Sequence, residues 1–337
     1  MKVFQIQDEW SMDHLKIAER DRPQPGPGEV LLQMKAASIN YRDLVVPLRG
    51  YGSFTGTLPL VPISDGVGEV VEIGAGVSRV APGDRACPMF MQKWTAGEPD
   101  LTRITSTLGG PLDGVMQEYM VVNQEGLAKV PDYLTDEEAA TLPCAALTAW
   151  SALVTEGNVK AGDTVLVQGT GGVSLFALQF AKLLGAGVIV ISSRDDKLNR
   201  AAALGADEGL NYTDVPEWGK AVKKRTAGGG VDHIVEVGGE KTLPQSLRTI
   251  RPGGTISMIG VLSGANMGVS LGLIVTRKVR LQGITVGHRD SFEAMTRAMA
   301  RHQVKPMIDR VFAFEELKAA MDYLRQGKHF GKICIRF

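Results

Sequence analysis

The run Gly169-Thr170-Gly171-Gly172-Val173-Ser174 follows the apolar residues Val165–Val167 and leads at once into a helical pattern. Glycines at such a strand-to-helix turn let the backbone approach a pyrophosphate, and the positive end of the helix favours its charge. The run departs from the dinucleotide fingerprint G-x-G-x-x-G at its third position, where Ser174 stands. A glycine-rich turn alone is a weak signal, but here a strand precedes it, a helix follows it and a βαβ unit begins with it. The chemistry expected is dinucleotide binding. The next apolar run ends in "VISSRDDK". An acid there would hold a free ribose 2′-hydroxyl, whereas Ser192, Ser193, Arg194 and Lys197 offer hydroxyls and cations to a 2′-phosphate. Asp195 and Asp196 fall where a helix N-terminus favours acids. NADP(H) is therefore expected in preference to NAD(H).

The elements that must position these groups alternate from about Thr141 onward. "TVLVQG", "GVIVIS", "EGLNY", "VDHIVEVG", "GGTISMIG" and "VRLQGITVG" read as strands. "SLFALQFAKLLG", "DDKLNRAAALG" and "VPEWGKAVKKRT" read as helices between them, and "TLPQSLRTI" precedes "GGTISMIG". About six strands with helical crossovers imply an α/β fold with a doubly wound parallel sheet. The first 125 or so residues differ, with short β-like runs such as "GEVLLQMKAAS" and "DGVGEVVEIGAGV" between the turns "RPQPGPGE" and "APGDR". The tail reads helix, helix, strand at "FEAMTRAMARHQ", "FEELKAAMDYLRQG" and "GKICIRF", the strand returning to the first domain. The expected division is a β-rich domain over residues 1–124, a dinucleotide-binding domain over 125–288, and a return to the first domain over 289–337.

Composition narrows the partners. Lys+Arg and Asp+Glu are both 37 in 337 residues, so there is no charge surplus for nucleic acid or an anionic membrane surface. No apolar run reaches the length of a membrane span, and "MKVFQIQDEW" lacks the apolar core of a signal peptide. Three widely spaced cysteines, Cys87, Cys144 and Cys334, imply no disulfide framework and suggest a reducing, cytoplasmic setting. A small-molecule substrate is the partner that remains.

The sequence resembles the medium-chain dehydrogenase/reductase superfamily over essentially its whole length, in the zinc-type alcohol dehydrogenase-like or quinone oxidoreductase-like branch. The resemblance is carried by "INYRDL", "PISDGVGEVVEIGAGV" with "PGDR", "AATLPCAALTAW", the glycine turn, "RAAALGAD", "VDHIVEVGG", "RPGGTISMIG" and "HFGKICIRF". It implies a GroES-like catalytic domain joined to a Rossmann domain, with the active site in a cleft between them. It further implies hydride transfer from a nicotinamide and a homodimer paired along the Rossmann edge strand "VRLQGIT". The cofactor-binding set it implies is Thr148, Gly169, Thr170, Gly171, Gly172, Val173, Ser192, Ser193, Arg194, Lys197, Tyr212, Val237, Gly260, Val261, Gly331 and Lys332. Asn40 and Tyr41 are placed beside the nicotinamide; Tyr51, in "RGYGSFTG", reads as part of a substrate loop, and His288 and Arg289, after the edge strand, either close over the cleft or form a solvated turn.

Metal-dependent members hold a catalytic zinc with a Cys-His-Cys set. Here Asn40 stands in the place of the first cysteine and Ser64 in that of the histidine, with Asp65 beside it; only Cys144 matches. Amide and hydroxyl groups with one cysteine are a poor shell for Zn²⁺. The lobe "CPMFMQKWTAGEPD" keeps a single cysteine, so a four-cysteine structural site is excluded. No zinc is expected, and Cys144 reads as a small buried hydrophobe. Without a Lewis acid, substrates already activated for hydride are favoured: enones or quinones, with Tyr41 as proton donor or enolate hydrogen bond, or as a lining ring. Arg42 and Asp43 read as a structural ion pair. The alternatives are an NADP-dependent alcohol dehydrogenase acting without metal, and a non-enzymatic NADPH-binding protein.

Overall fold

A computed structural model describes residues 1–337. Its contacts divide the chain into a first unit, Met1–Leu147 with Val286–Phe337, and a second unit, Thr148–Thr285. The breaks expected at 124/125 and 288/289 therefore lie at 147/148 and 285/286. The first shift has a local cause: residues 127–140 belong to the first sheet, through a strand pairing with Ala86–Pro88 and a helix, Asp136–Ala140, packed on that sheet. The second arises because the Arg289 N–H donates to the Trp94 carbonyl, 3.1 Å away in the first unit.

The first unit begins with β1 (Lys2–Ile6), β2 (Leu15–Glu19), β3 (Glu29–Ile39), β4 (Asp65–Ile73), β5 (Arg85–Pro88), β6 (Tyr119–Asn123) and β7 (Leu127–Lys129). The second unit supplies β8 (Thr164–Gln168), β9 (Gly187–Ser192), β10 (Glu208–Asn211), β11 (Val231–Glu236), β12 (Ile250–Met258) and β13 (Arg280–Gly283). The chain then returns to the first unit with β14 (Ile308–Ala313) and β15 (Lys332–Arg336).

β3 organises the first unit. Its sequence EVLLQMKAASI is buried at almost every position, so both faces carry core. Along one edge it pairs with β6 over Glu29–Gln33 and then with β15 over Ala36–Ile39; β4 takes the other edge. The sheet runs β14-β15-β3-β4-β5-β7. Two pairings fix the site: Ser38 lies opposite Asp65, and Ile39 opposite Ile333. They bring the end of β3 and the starts of β4 and β15 to one corner. β14 was not anticipated, because IDRVFA lies at the sheet edge, half exposed, and its charges break the apolar alternation.

The second unit is a six-stranded parallel sheet in the order β10-β9-β8-β11-β12-β13. Helices Gly172–Leu183, Asp195–Ala203, Trp218–Arg225 and Leu243–Thr249 separate its first five strands. β8 lies between β9 and β11, where the strand order reverses, and a ligand crevice opens at the carboxyl ends of strands at such a point. No helix is long and apolar enough to cross a membrane.

Candidate active site

In the first unit the site is built at the end of β3. Asn40 is extended (φ −124°, ψ 162°) and begins the short helix Tyr41–Val45. Its backbone N–H donates to Asp43 Oδ2 at 2.7 Å, which ties the corner. Lys332, the first residue of β15, is 3% exposed and donates to the Ile39 carbonyl at 2.8 Å and to Asn40 Oδ1 at 2.5 Å. Ser64 is delivered by a strained approach: Ile63 has φ 68°, rare for a β-branched residue and costing about 1–3 kcal/mol. Gly114 permits that approach, since a Cβ there would lie 2.1 Å from the Ile63 carbonyl oxygen. The Ser64 hydroxyl donates to Asp65 Oδ1 at 2.7 Å, and the Asn40 amide nitrogen is 3.5 Å from the Ser64 oxygen. The Cys144 backbone N–H donates to Asp65 Oδ2 at 3.0 Å.

Burial sets the charges here. It raises Asp43 from 3.8 to about 6, against the opposing pull of Arg42. Asp65 is also raised by burial, with Lys332 partly offsetting it. The Cys144 thiol is pushed far up, first by burial and then by the Asp65 carboxylate. Arg42 is not a simple partner of Asp43. Its guanidinium donates to the Leu108 and Gly110 carbonyls at 2.8 and 3.1 Å and stacks over Phe90 at 4.8 Å, while its nearest approach to Asp43 is 3.9 Å.

These residues do not fit zinc. A single thiol, a hydroxyl already donating to Asp65 and an amide oxygen facing an ammonium are a poor donor set, and that ammonium would repel a dication. No group of three or more His, Cys, Asp or Glu side chains in the chain is arranged to hold a metal ion.

In the second unit, β8 is followed by Gly169, whose φ of 73° suits glycine. Gly171 caps the helix Gly172–Leu183, and a Cβ added to it would meet nothing within 4 Å. The protein does not need that space, so a pyrophosphate can approach the backbone of Gly171, Gly172 and Val173. Ser174 spends its hydroxyl on the Gln168 carbonyl at 2.7 Å, locking the turn to the strand. Behind the turn lies a carboxylate that sequence reasoning missed. Glu236, fully buried at the end of β11, accepts from Gln168 Nε2, Ser246 Oγ, Thr242 Oγ1 and the backbone N–H groups of Gly238 and Gly239. Gln168 accepts in turn from the Val237 and Gly238 N–H groups. Gly260 lets β12 approach this loop, since a Cβ on it would lie 2.3 Å from the Val237 carbonyl oxygen. The glycine turn and the Val237 loop are thus held as one rigid floor.

The structure brings Gly169, Thr170, Gly171, Gly172, Val173, Ser192, Ser193, Arg194, Lys197, Tyr212, Val237, Gly260 and Val261 to the carboxyl ends of β8–β12. Arg194 is exposed and paired bidentately with Asp196, both contacts 2.8 Å; Ser192 and Lys197 are buried. Thr148, also buried, begins the second unit. The first unit brings together Asn40, Tyr41, Tyr51 and Lys332. Tyr41 and Tyr51 are 52% and 46% exposed, open to a ligand. Gly331 is required by packing, since a Cβ on it would lie 2.2 Å from the Met307 carbonyl oxygen. His288 caps the helix Arg289–His302: its Nδ1 accepts from the Ser291 N–H at 3.1 Å, and its ring meets the Trp94 ring edge-on. Lys332 is among the residues expected at the cofactor; for Glu236 the only signal is an acid at a strand end.

Residues 26–132 match the family described as alcohol dehydrogenase GroES-like domain, and residues 172–301 the family described as zinc-binding dehydrogenase. The chain belongs to the medium-chain dehydrogenase/reductase superfamily. It is an alcohol dehydrogenase-like oxidoreductase of that superfamily. A zinc-type alcohol dehydrogenase-like protein of Schizosaccharomyces pombe is 42% identical over 341 residues, covering 99% of this chain and 98% of the relative. The crystal structure of a putative alcohol dehydrogenase of Sinorhizobium meliloti matches with a TM-score of 0.94 and 42% identity, covering 100% of this chain and 98% of that one. A crystal structure titled NAD-dependent alcohol dehydrogenase matches with a TM-score of 0.90 and 32% identity, each chain covered at 100%.

Proposed function

We propose that this protein is a zinc-independent, NADPH-dependent oxidoreductase that reduces an activated carbonyl compound, an enone or a quinone. The observation that carries the reading is the Lys332 ammonium on Asn40 Oδ1, beside a Ser64 hydroxyl already donating to Asp65. A site that offers hydrogen bonds in place of a metal suits a substrate whose conjugation already stabilises the developing enolate or quinolate.

A bound reduced nicotinamide supplies the hydride. The N–H groups at Gly171–Val173 would hold a pyrophosphate, and Ser193 and Arg194 a 2′-phosphate, with Ser192 and Lys197 shaping that end of β9. Glu236 keeps the loop at Val237 fixed for the nicotinamide end. Asn40 and Tyr41 meet the substrate oxygen, and Tyr51 lines its approach. Tyr41 holds a proton that can pass to that oxygen. Two copies pair along β13, the open edge of the six-stranded sheet; the helix before it, Leu271–Thr276, exposes Leu271 and Val275 at 71% and 77%. Three free thiols suit the cytoplasm.

The words alcohol dehydrogenase in the relatives' names favour a second reading, oxidation of an alcohol, which with this chain's residues would use NADP⁺ without metal, Tyr41 assisting the alcohol's proton transfer. Rates with NADPH and NADH against quinones, enones and aldehydes, and with NADP⁺ against simple alcohols, separate the two readings. Faster turnover of enones or quinones, kept after prolonged chelation and with well under one zinc per chain, is the expected result. A stoichiometric zinc whose return restores lost activity would overturn the proposal.

A further inference from the structure

We infer that Lys332 is a positioning residue that fixes the Asn40 side-chain amide as a hydrogen-bond donor to the substrate oxygen. The inference rests on the reading of this corner as the place where that oxygen binds. An ammonium has three donors and no acceptor, so the side-chain atom of Asn40 facing Lys332 at 2.5 Å is the amide oxygen. The amide nitrogen is then turned the other way. Inside the protein that nitrogen faces the buried Ser64–Asp65 pair, 3.5 Å from a Ser64 oxygen whose own proton goes to Asp65 and in hydrogen-bonding reach of the Asp65 carboxylate. That uses one of its two N–H groups and leaves the other to donate. The buried ammonium also polarises the amide through its oxygen, which strengthens the remaining N–H as a donor.

Lys332 is held for this task and not for a phosphate. It is 3% exposed, and two of its three protons are taken by the Ile39 carbonyl and by Asn40. The strand register places it there: Ile333 lies opposite Ile39, so the residue before Ile333 meets the end of β3. Without the lysine the amide could turn over, and its oxygen would face the substrate oxygen as the developing charge grew.

The test uses the full chain carrying Lys332→Met, Asn40→Asp, Lys332→Arg, and the first two together. Lys332→Met removes the ammonium from a side chain of similar length. Asn40→Asp keeps an acceptor for Lys332 but deletes the donor. Each should lower kcat at saturating NADPH by about tenfold or more while the NADPH Kd stays within about twofold, because the donor acts mainly in the transition state. The double variant should be no slower than the worse single one, since both remove the same contact. Lys332→Arg should recover most of kcat. An NADPH Kd weakened about tenfold by Lys332→Met, with kcat held, would make Lys332 a cofactor ligand and overturn the inference; so would unchanged kcat in Asn40→Asp. A readout independent of turnover is the Asn40 side-chain amide signal in protein labelled with ¹⁵N-asparagine. It should shift and exchange faster in Lys332→Met than in the unmodified protein, and identical signals would overturn the inference. Absence of turnover with enones and quinones would overturn the proposed substrate class, while the amide signal would still decide the role of Lys332.

Discussion

Asp43 makes the corner of β3 sensitive to pH in a way that one substitution should expose. Its carboxyl is 1% exposed; Oδ2 accepts from the Asn40 N–H, and Oδ1 has no hydrogen-bond partner. Burial raises its pKa from 3.8 to about 6. The folded protein therefore holds this proton more tightly than the unfolded chain. Stability from that proton is fully present below 3.8 and is lost as pH rises through 6. At about 1.4 kcal/mol per pH unit, the loss between pH 4 and pH 7 comes to about 2–3 kcal/mol. In Asp43→Asn the amide oxygen still accepts from the Asn40 N–H, but no charge is buried at neutral pH. The variant's stability relative to the unmodified protein should thus climb by about 2–3 kcal/mol from pH 4 to pH 7. Urea unfolding at half-unit pH steps, with hydrogen exchange of the β3 and β15 peptides to report on the first unit, measures it. A stability difference that is flat across this range would refute the reasoning. So would a variant that loses ground as pH rises.

In the second unit His233 has the opposite sign. It is buried with Nε2 2.9 Å from Ser257 Oγ, and burial lowers it from 6.5 to about 4, so the stability of the neutral ring is present above 6.5 and lost as pH falls towards 4. His233→Gln should remove about 3 kcal/mol of acid sensitivity in that window, read from hydrogen exchange of the second-unit peptides. Arg194→Ala should weaken NADPH binding by about tenfold or more with little change for NADH, and Asp196→Asn, which frees Arg194 from its bidentate partner, should tighten NADPH binding in titration calorimetry. Tyr41→Phe should lower kcat by at least about tenfold while NADPH affinity holds; unchanged kcat with enones and quinones would leave Tyr41 a lining ring.

The second unit was legible in the sequence because parallel strands buried on both faces write continuous apolar runs. TVLVQ and GVIVIS are buried at nearly every position, and the helix Asp195–Ala203 between β9 and β10 turns Lys197 and Ala201 inward from a polar surface. The glycine turn was legible because its function is local: backbone geometry at Gly169 and open space at Gly171. Contacts across long separations were not. Lys332 and Asn40 are 292 residues apart, and only the pairing of β15 with β3 joins them. The donors to Glu236 come from three segments, so the letter Glu236 at a strand end did not disclose them. The adjacent Arg42 and Asp43 read as a pair because neighbouring opposite charges usually are one. Folding kept that pair only as a long 3.9 Å contact to Asp43 Oδ1, gave the guanidinium's hydrogen bonds to the Leu108 and Gly110 carbonyls, and left that Asp43 oxygen without a hydrogen bond.

The pairing of β15 with β3 also gives the protein a history on the ribosome. At about 5–20 residues per second, the 292 residues between Asn40 and Lys332 take roughly 15–60 s to synthesise. Through that interval the edge of β3 over Ala36–Ile39 has no neighbour, and nothing holds the Asn40 amide. The second unit, contiguous over residues 148–285, emerges whole in the meantime. A nascent chain can therefore close its six-stranded parallel sheet well before the corner at Asn40 is set. On the function proposed, ribosome-bound chains arrested before residue 332 should bind NADPH yet turn over no substrate.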